Sequence, residues 1–222
     1  RVRKTKNFSS IKLAEANNMN HLTKFTDFSA SFYDLIFRVF WLGHESNFRQ
    51  KVVELLDLAG DEFVLDVGCG TGTLTSMIAD KMNGKGSIFG VDLSPKMIEI
   101  AKKKASRNGR QVEYKVATSL TLPFGNETFD AVISSLLYHH LMSLEEKART
   151  LSEIWRILRP EGRYVAAEFT KFTMGNLFVV HDSLIEKIPM FSPDLLNKNG
   201  FHITGKVEIS RGIMIISARK ET

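Results

Sequence analysis

The stretch Val64-Leu65-Asp66-Val67-Gly68-Cys69-Gly70-Thr71-Gly72 carries the clearest chemical signal in the chain. A short apolar run enters a turn with glycine at alternate positions, and a helical pattern follows. Glycine adopts positive φ without strain and lets a ligand approach the backbone closely. A helix opening near Thr71 offers free N–H groups and a partial positive charge. The arrangement predicts a nucleotide-type binding turn at the carboxyl end of a first β-strand. Asp92 stands twenty residues after Gly72, at the end of a second apolar run. A carboxylate there can accept hydrogen bonds from both ribose hydroxyls of an adenosine ligand. Two ligand classes fit, a dinucleotide or S-adenosylmethionine, and spacing separates them. A dinucleotide turn reads G-x-G-x-x-G so that its helix receives a pyrophosphate. Here Leu74 and Thr75 occupy the place where a small residue is wanted, which favours the methionine-bearing adenosine. Asp66, ahead of the turn, either orients the loop or binds the amino group of a methionine tail.

A second set of residues could move protons. His139 and His140 follow the fourth predicted strand on the ligand side of the sheet, and imidazole titrates near neutrality. His140 is the preferred base of the two, against the plainer reading of packed or capping histidines. Glu168 ends the fifth strand and points toward the cleft mouth. His181 lies on a predicted lid helix, and His44 near an N-terminal helix junction. Tyr33, Phe32 and Tyr138 could face a cationic ligand, since aromatic faces attract cations by about 0.5–2 kcal/mol. The plainer reading of Phe32 and Tyr138 is core packing. Cys69, the single cysteine, reads as a small side chain in a tight turn. It rules out an intramolecular disulfide and a cysteine-based metal cluster, and the pattern suggests no metal site.

These residues need elements to hold them. The patterning predicts helices over 28–42 and 48–58, the second stopped by Gly60. Strand and helix then alternate: strands at 63–67, 87–91, 112–116, 129–135 and 163–169, with helices at 73–81, from Ser94-Pro95 to 107, and at 144–158. Ser94-Pro95 stands in N-cap then N1 order, and Pro160 with Gly162 stops the helix before strand five. Helices are expected at 177–188 and 193–198, and a final antiparallel pair at 201–208 and 213–218. Alternating β and α predicts an α/β, doubly wound, mostly parallel seven-stranded sheet with helices on both faces and an antiparallel C-terminal strand. The chain divides into a flexible basic tail over 1–20, a helical cap over 21–60 and a ligand-binding catalytic domain over 61–222, cap and domain forming one globular unit.

A chain of 222 residues with 43% hydrophobic content can bury a sizeable core without staples. The formal charge is +5, and Arg1, Arg3, Lys4, Lys6 and Lys12 all precede the first acid, Glu15. The bland reading is a solvated tail; the functional one is peripheral contact with an anionic membrane or nucleic acid. No run of about 18 apolar residues or signal-peptide pattern occurs, so a cytoplasmic, at most membrane-peripheral, setting is expected. Oligomeric state is left open. Phe25, Phe28, Phe32, Phe37, Phe40 and Trp41 form either a greasy acceptor pocket or a face packed on the domain.

The motifs occur in a recognisable order. The Val64–Gly72 stretch is followed by Gly90-Val91-Asp92-Leu93-Ser94-Pro95-x-Met97, then Leu122-Pro123-Phe124, Phe129-Asp130-Ala131-Val132 and Leu158-Arg159-Pro160-x-Gly162. The chain resembles the class I S-adenosylmethionine-dependent methyltransferases over about residues 30–220. Within them it looks most like the ubiquinone/menaquinone biosynthesis C-methyltransferase group, through Phe32-Tyr33-Asp34, Gly43-(x)5-Arg49 and Glu168-Phe169. The resemblance implies a Rossmann-like methyltransferase fold and S-adenosylmethionine as cofactor. It implies that Gly68, Cys69, Gly70, Thr71 and Gly72 line its methionine and ribose, with Asp66 beside them. Asp92 would hold the ribose, with Leu93 and Met97 packing near the adenine. Thr118, Ser119 and Leu120 would reach the adenine edge, Ser135 would face the cofactor, and Tyr33 would close over it. Thr118 stands where many relatives carry Asp or Asn, and His139-His140 replaces an Arg-Asn type pair. The segment between strand five and Gly200 is shorter than in the quinone enzymes.

The favoured acceptor is a small apolar or lipid-like molecule, with quinone-type C-methylation first. Phospholipid headgroup N-methylation or another small-molecule O- or N-methylation is the alternative, and a catalytically silent cofactor-binding domain a reading of another class. Ser134-Ser135-Leu136-Leu137-Tyr138 lacks the Asn/Asp-Pro-Pro-aromatic pattern of base methylation, so no nucleic-acid substrate is expected.

Overall fold

The computed structural model describes residues 45–169, 191–209 and 213–221. The basic tail, the 28–42 helix, the 177–188 lid helix, Tyr33, His44 and His181 lie outside the described residues. The elements run α1 (Glu45–Leu55), β1 (Phe63–Val67), α2 (Thr73–Ala79), β2 (Ser87–Asp92), α3 (Pro95–Arg107), β3 (Glu113–Val116) and β4 (Phe129–Ser135). A 3-10 turn (Tyr138–His140), α4 (Leu144–Ile157), β5 (Leu158–Phe169), α5 (Pro193–Asn197), β6 (Phe201–Ile209) and β7 (Ile213–Lys220) complete them.

One seven-stranded sheet takes the order β3-β2-β1-β4-β5-β7-β6. All pairs are parallel except those made by β7, which is antiparallel to both β5 and β6. The expected antiparallel strand is present, but it is inserted one place in, and β6 forms the edge. Burial explains the choice. β7 (Ile213-Met214-Ile215-Ile216) is buried on both faces, whereas β6 alternates inward and outward residues as an edge strand can.

Alternation along the strands splits the core into two layers. Leu65, Val132 and Tyr164 face α4 and α5, through Leu151, Ile154 and Leu196. Val64, Ile133 and Val165 face the other side, where Phe48, Val52 and Leu56 of the α1 segment meet Leu74 and Ile78 of α2. α3 packs through Ile98, Ala101 and Ala105 against Tyr114 of β3.

The helix ends follow local chemistry. Ser94 caps α3 by accepting Met97 N–H at 3.1 Å, with Pro95 opening the helix as the dipeptide predicts. Ser143 and Glu146 form a reciprocal capping box on α4. Two boundaries differ from expectation. α1 spans Glu45–Leu55 rather than 48–58, and Asp57 turns the chain with φ 50. β5 begins at Leu158, because Pro160, Glu161 (φ 60) and Gly162 form an irregularity inside the strand and not a break. The regular ladder with β4 still runs from Arg163, where a strand is expected.

Candidate active site

The sheet order reverses between β1 and β4, and in open α/β sheets ligands bind outside the carboxyl ends of the strands at such a point. The last register pair there is Val67 with Ser134, so the loops leaving both strands start level.

The β1 loop is built on left-handed glycines: Gly68, Gly70 and Gly72 have φ of 76, 53 and 72. A Cβ on Gly68 would press on Leu137, and one on Gly72 would lie 2.5 Å from the Tyr114 hydroxyl. A Cβ on Gly70 would meet nothing within 4 Å. The outer two glycines are therefore set by packing, and the middle one opens onto free space. Gly68 and Cys69 N–H bond to Val91 O, which ties the loop to β2. Asp92 completes the tie, its Oδ2 accepting Gly70 N–H and its Oδ1 accepting Ser94 N–H, both at 2.9 Å. Leu93 is half-buried and Met97 is buried on the first turn of α3.

Asp66 is 2% exposed and its Oδ2 accepts the Thr75 hydroxyl at 2.6 Å, so it anchors the loop to α2. Burial, helped by the Asp92 charge and opposed by the Thr75 hydrogen bond and Arg49, pushes its carboxyl up to about 7. Cys69 is buried, its thiol pushed up by burial and by Asp66 and Asp92, and its side chain packs with Tyr114 and Ala101. Thr71 is buried, and its hydroxyl accepts from Lys104 Nζ at 3.2 Å.

A cavity of about 50 Å³ is lined by Asp66 of β1, Gly68, Cys69, Gly70 and Thr71 of the loop after it, Ser135 at the end of β4 with Leu136 just beyond, and Phe48 and Arg49 of α1. The larger hollow, about 570 Å³, is open and lies at the opposite end of β2 and β3, around Gly86, Lys102 and Glu113. It holds none of the loop residues, so chemistry places the site at the smaller cavity.

Several expected residues also have partners within the protein. Ser119 is buried with its hydroxyl 3.0 Å from Thr150 of α4. Thr118 Oγ1 accepts Leu120 N–H, and Leu120 O accepts the Arg149 guanidinium. Tyr138 is fully buried, 2.9 Å from Tyr164 OH, which in turn meets Ser134 Oγ at 2.7 Å. It is a core aromatic and not a lid over a cation. Glu168 is 2% exposed and does not stand at an open cleft mouth. Its Oε1 accepts Tyr138 N–H at 2.7 Å and its Oε2 lies 3.4 Å from His139 Nδ1. His140 stacks on His139 with ring centroids 3.9 Å apart. Crowding by surrounding protein, then His139, holds the His140 imidazole below its ordinary value, although an exposed edge lets solvent moderate this.

One lining residue carries a weak sequence signal and another carries none. Arg49 belongs to the Gly43-(x)5-Arg49 pattern, though nothing in its type assigns it to the loop. Leu136 has φ 56, a left-handed backbone on a non-glycine residue, and leaves no mark in the sequence.

The residues 64–162 match the family model described as "Methyltransferase domain". A demethylmenaquinone methyltransferase from Thermus thermophilus is 30% identical over 75% of this chain and 74% of its own length. The ubiquinone/menaquinone biosynthesis C-methyltransferase UbiE of Wigglesworthia glossinidia brevipalpis is 32% identical over 79% and 69%. Other relatives, such as that of Lactiplantibacillus plantarum, are matched over 57% of their length. Among solved structures, a SAM dependent methyltransferase from Aquifex aeolicus superposes with TM-score 0.65 at 20% identity, covering 77% of this chain and 88% of that one. The [4+2]-cyclase SpnF superposes with TM-score 0.64 at 21% identity, covering 79% and 80%. The chain belongs to the class I S-adenosylmethionine-dependent methyltransferases. S-adenosylmethionine is the cofactor of that family, and the open space at Gly70, whose N–H is held by the Asp92 carboxylate, fits it.

Proposed function

We propose that the chain transfers a methyl group from S-adenosylmethionine to a small apolar acceptor of the quinol type, forming a carbon–methyl bond. The observation that carries this reading is the convergence of the open Gly70, Asp92 and Ser135 at the point where the sheet order reverses. The names of the relatives from Thermus thermophilus and Wigglesworthia support the acceptor class. The fold does not fix the reaction, since a cyclase shares it.

The bound cofactor supplies an electrophilic methyl group on a sulfonium centre. The chain's own task is to position the acceptor, exclude water and take up a proton. Gly68, Gly70, Thr71 and Gly72 cradle the methionine and ribose, with Cys69 contributing backbone and Asp66 holding the loop. Asp92 accepts the ribose hydroxyls. Leu93, Met97, Thr118 and Leu120 flank the adenine, and Ser135 borders the reacting end. Tyr33 closes over the site, and a histidine of the His139-His140 pair, with Glu168, handles the proton. The acceptor enters from an apolar N-terminal cap, and the basic tail holds the protein at an anionic membrane on the cytoplasmic side. Among the described residues, no helix is long and apolar enough to cross a membrane.

Incubation of cell extract with methyl-labelled S-adenosylmethionine, followed by mass spectrometry of lipid and aqueous fractions, tests this. Label is expected in an aromatic prenyl lipid. Label confined to soluble catechols overturns the acceptor class.

A further inference from the structure

The chain leaving β4 is set by an unusual residue. Leu136 takes φ 56 and bonds its N–H to Ala167 O at 2.8 Å, which reverses the strand into the Tyr138–His140 turn. The reversal lays Leu137 over Gly68 of the cofactor loop and sends Tyr138 into the core. His139 follows in that turn, three residues after Leu136, which lines the cofactor cavity with Ser135.

Three contacts hold the His139 ring. Its Nδ1 lies 3.4 Å from Glu168 Oε2, His140 stacks at 3.9 Å, and Phe169 meets it edge-on at 5.5 Å. Glu168 is itself fixed, because Tyr138 N–H occupies its other oxygen. The His139 side chain keeps a quarter of its surface exposed. With Nδ1 directed at a buried carboxylate, Nε2 is the nitrogen left for a ligand.

We propose that His139 is the general base of the transfer and that Glu168 is its positioning residue; this rests on the methyltransferase reading above. Glu168 accepts the Nδ1 proton and leaves Nε2 unprotonated toward the acceptor. An acceptor C–H or O–H proton passes to Nε2 while the acceptor's electron pair bonds the methyl carbon. The pair of the broken methyl–sulfur bond stays on sulfur, giving a thioether. The net change is one methyl gained and one proton lost by the acceptor. His139 then carries the positive charge, and Glu168 stabilises it.

The same geometry decides against His140. Two imidazoles stacked this closely repel when both are charged, so the proton settles on the ring with the carboxylate. His140 has no such partner among the described residues. The other titratable groups around Glu168 are Lys147, buried on α4, and the Tyr138 and Tyr164 hydroxyls; all three feel its charge.

Histidine-selective nitrogen-15 NMR on the full chain tests the pair. The expected result is His139 protonated on Nδ1 at pH 8, with that single tautomer lost in Glu168→Gln. Protonation on Nε2 in the wild-type chain, or an unchanged tautomer in Glu168→Gln, overturns the pair. In parallel, His139→Gln is expected to slow methylation of a short-chain demethylmenaquinol by about 10²-fold or more. Its melting temperature and S-adenosylhomocysteine affinity stay close to wild type. A larger loss in His140→Gln than in His139→Gln overturns the base assignment. Failure of wild-type chain to bind S-adenosylhomocysteine would instead strike the methyltransferase reading, with the NMR result still deciding the pair.

Discussion

Gly70 shows how one residue can report a ligand. Its neighbours in the turn are glycine because a side chain would collide with Leu137 or Tyr114, but Gly70 has open space above it. A branched side chain there strains the left-handed backbone by about 1–2 kcal/mol and fills the ligand's place. Gly70→Val is expected to lose S-adenosylhomocysteine binding in calorimetry by two orders of magnitude while still melting cooperatively. Asp66 makes a second prediction at this scale. Burial raises its folded pKa to about 7 from an ordinary 3.8, so the native state binds the extra proton between those values. Stability from this group is present below about pH 4 and is lost as pH rises toward 7. Asp66→Asn removes that loss, and its melting temperature should gain on wild type progressively from pH 4 to pH 7. A constant difference over that range would contradict the assignment. Such residues were legible in the sequence where conformation demands a residue type. The glycines announced positive φ, whereas Leu136 adopts it without any sign. Ser119 read as a ligand contact because only position was visible, and its bond to Thr150 depends on a helix thirty residues away.

At the level of elements, Tyr114 of β3 lies beneath the cofactor loop and makes two glycines obligatory. A Cβ at Gly90 would come within 2.7 Å of its ring and 3.0 Å of Cys69 Sγ. Gly90→Ala should cost about 1–3 kcal/mol through overpacking, measured by urea denaturation, and weaken cofactor binding because Tyr114 is pushed toward Gly72. Glu62 joins the start of β1 to β5. Burial alone would raise its carboxyl, but Ala59 N–H, Arg163 and Gly60 N–H together bring it down to about 2. The folded state thus favours the ionised form, and the stability it contributes is present above about pH 4.5 and lost as pH falls toward 2. Glu62→Gln should flatten acid unfolding in that window, with a cost of about 2–3 kcal/mol at pH 7. Strand and helix identities followed the hydrophobic period closely between residues 63 and 158. The order of the last hairpin did not. Pairing partners of β7 depend on its two-sided burial, which a run of isoleucines only hints at. Pro160 and Gly162 read as a break because an irregularity inside a strand uses the same residue types.

For the whole molecule, the sheet order brings the β1 and β4 loops to one crevice, and the family relationship assigns the cofactor. Calorimetry should therefore show S-adenosylhomocysteine binding and no heat from NAD; the opposite pattern would overturn the reading of the glycine spacing. The acceptor is the larger step. The described residues supply a cofactor loop, a held histidine and a buried carboxylate, while the acceptor class rests on the apolar N-terminal sequence and the names of relatives. The most direct measurement is methyl transfer from labelled S-adenosylmethionine to a short-chain demethylmenaquinol, read by mass spectrometry against a soluble catechol. The account predicts one methyl added to a ring carbon of the quinol. Turnover of the catechol with an unchanged quinol, by a chain that binds the cofactor normally, would contradict it.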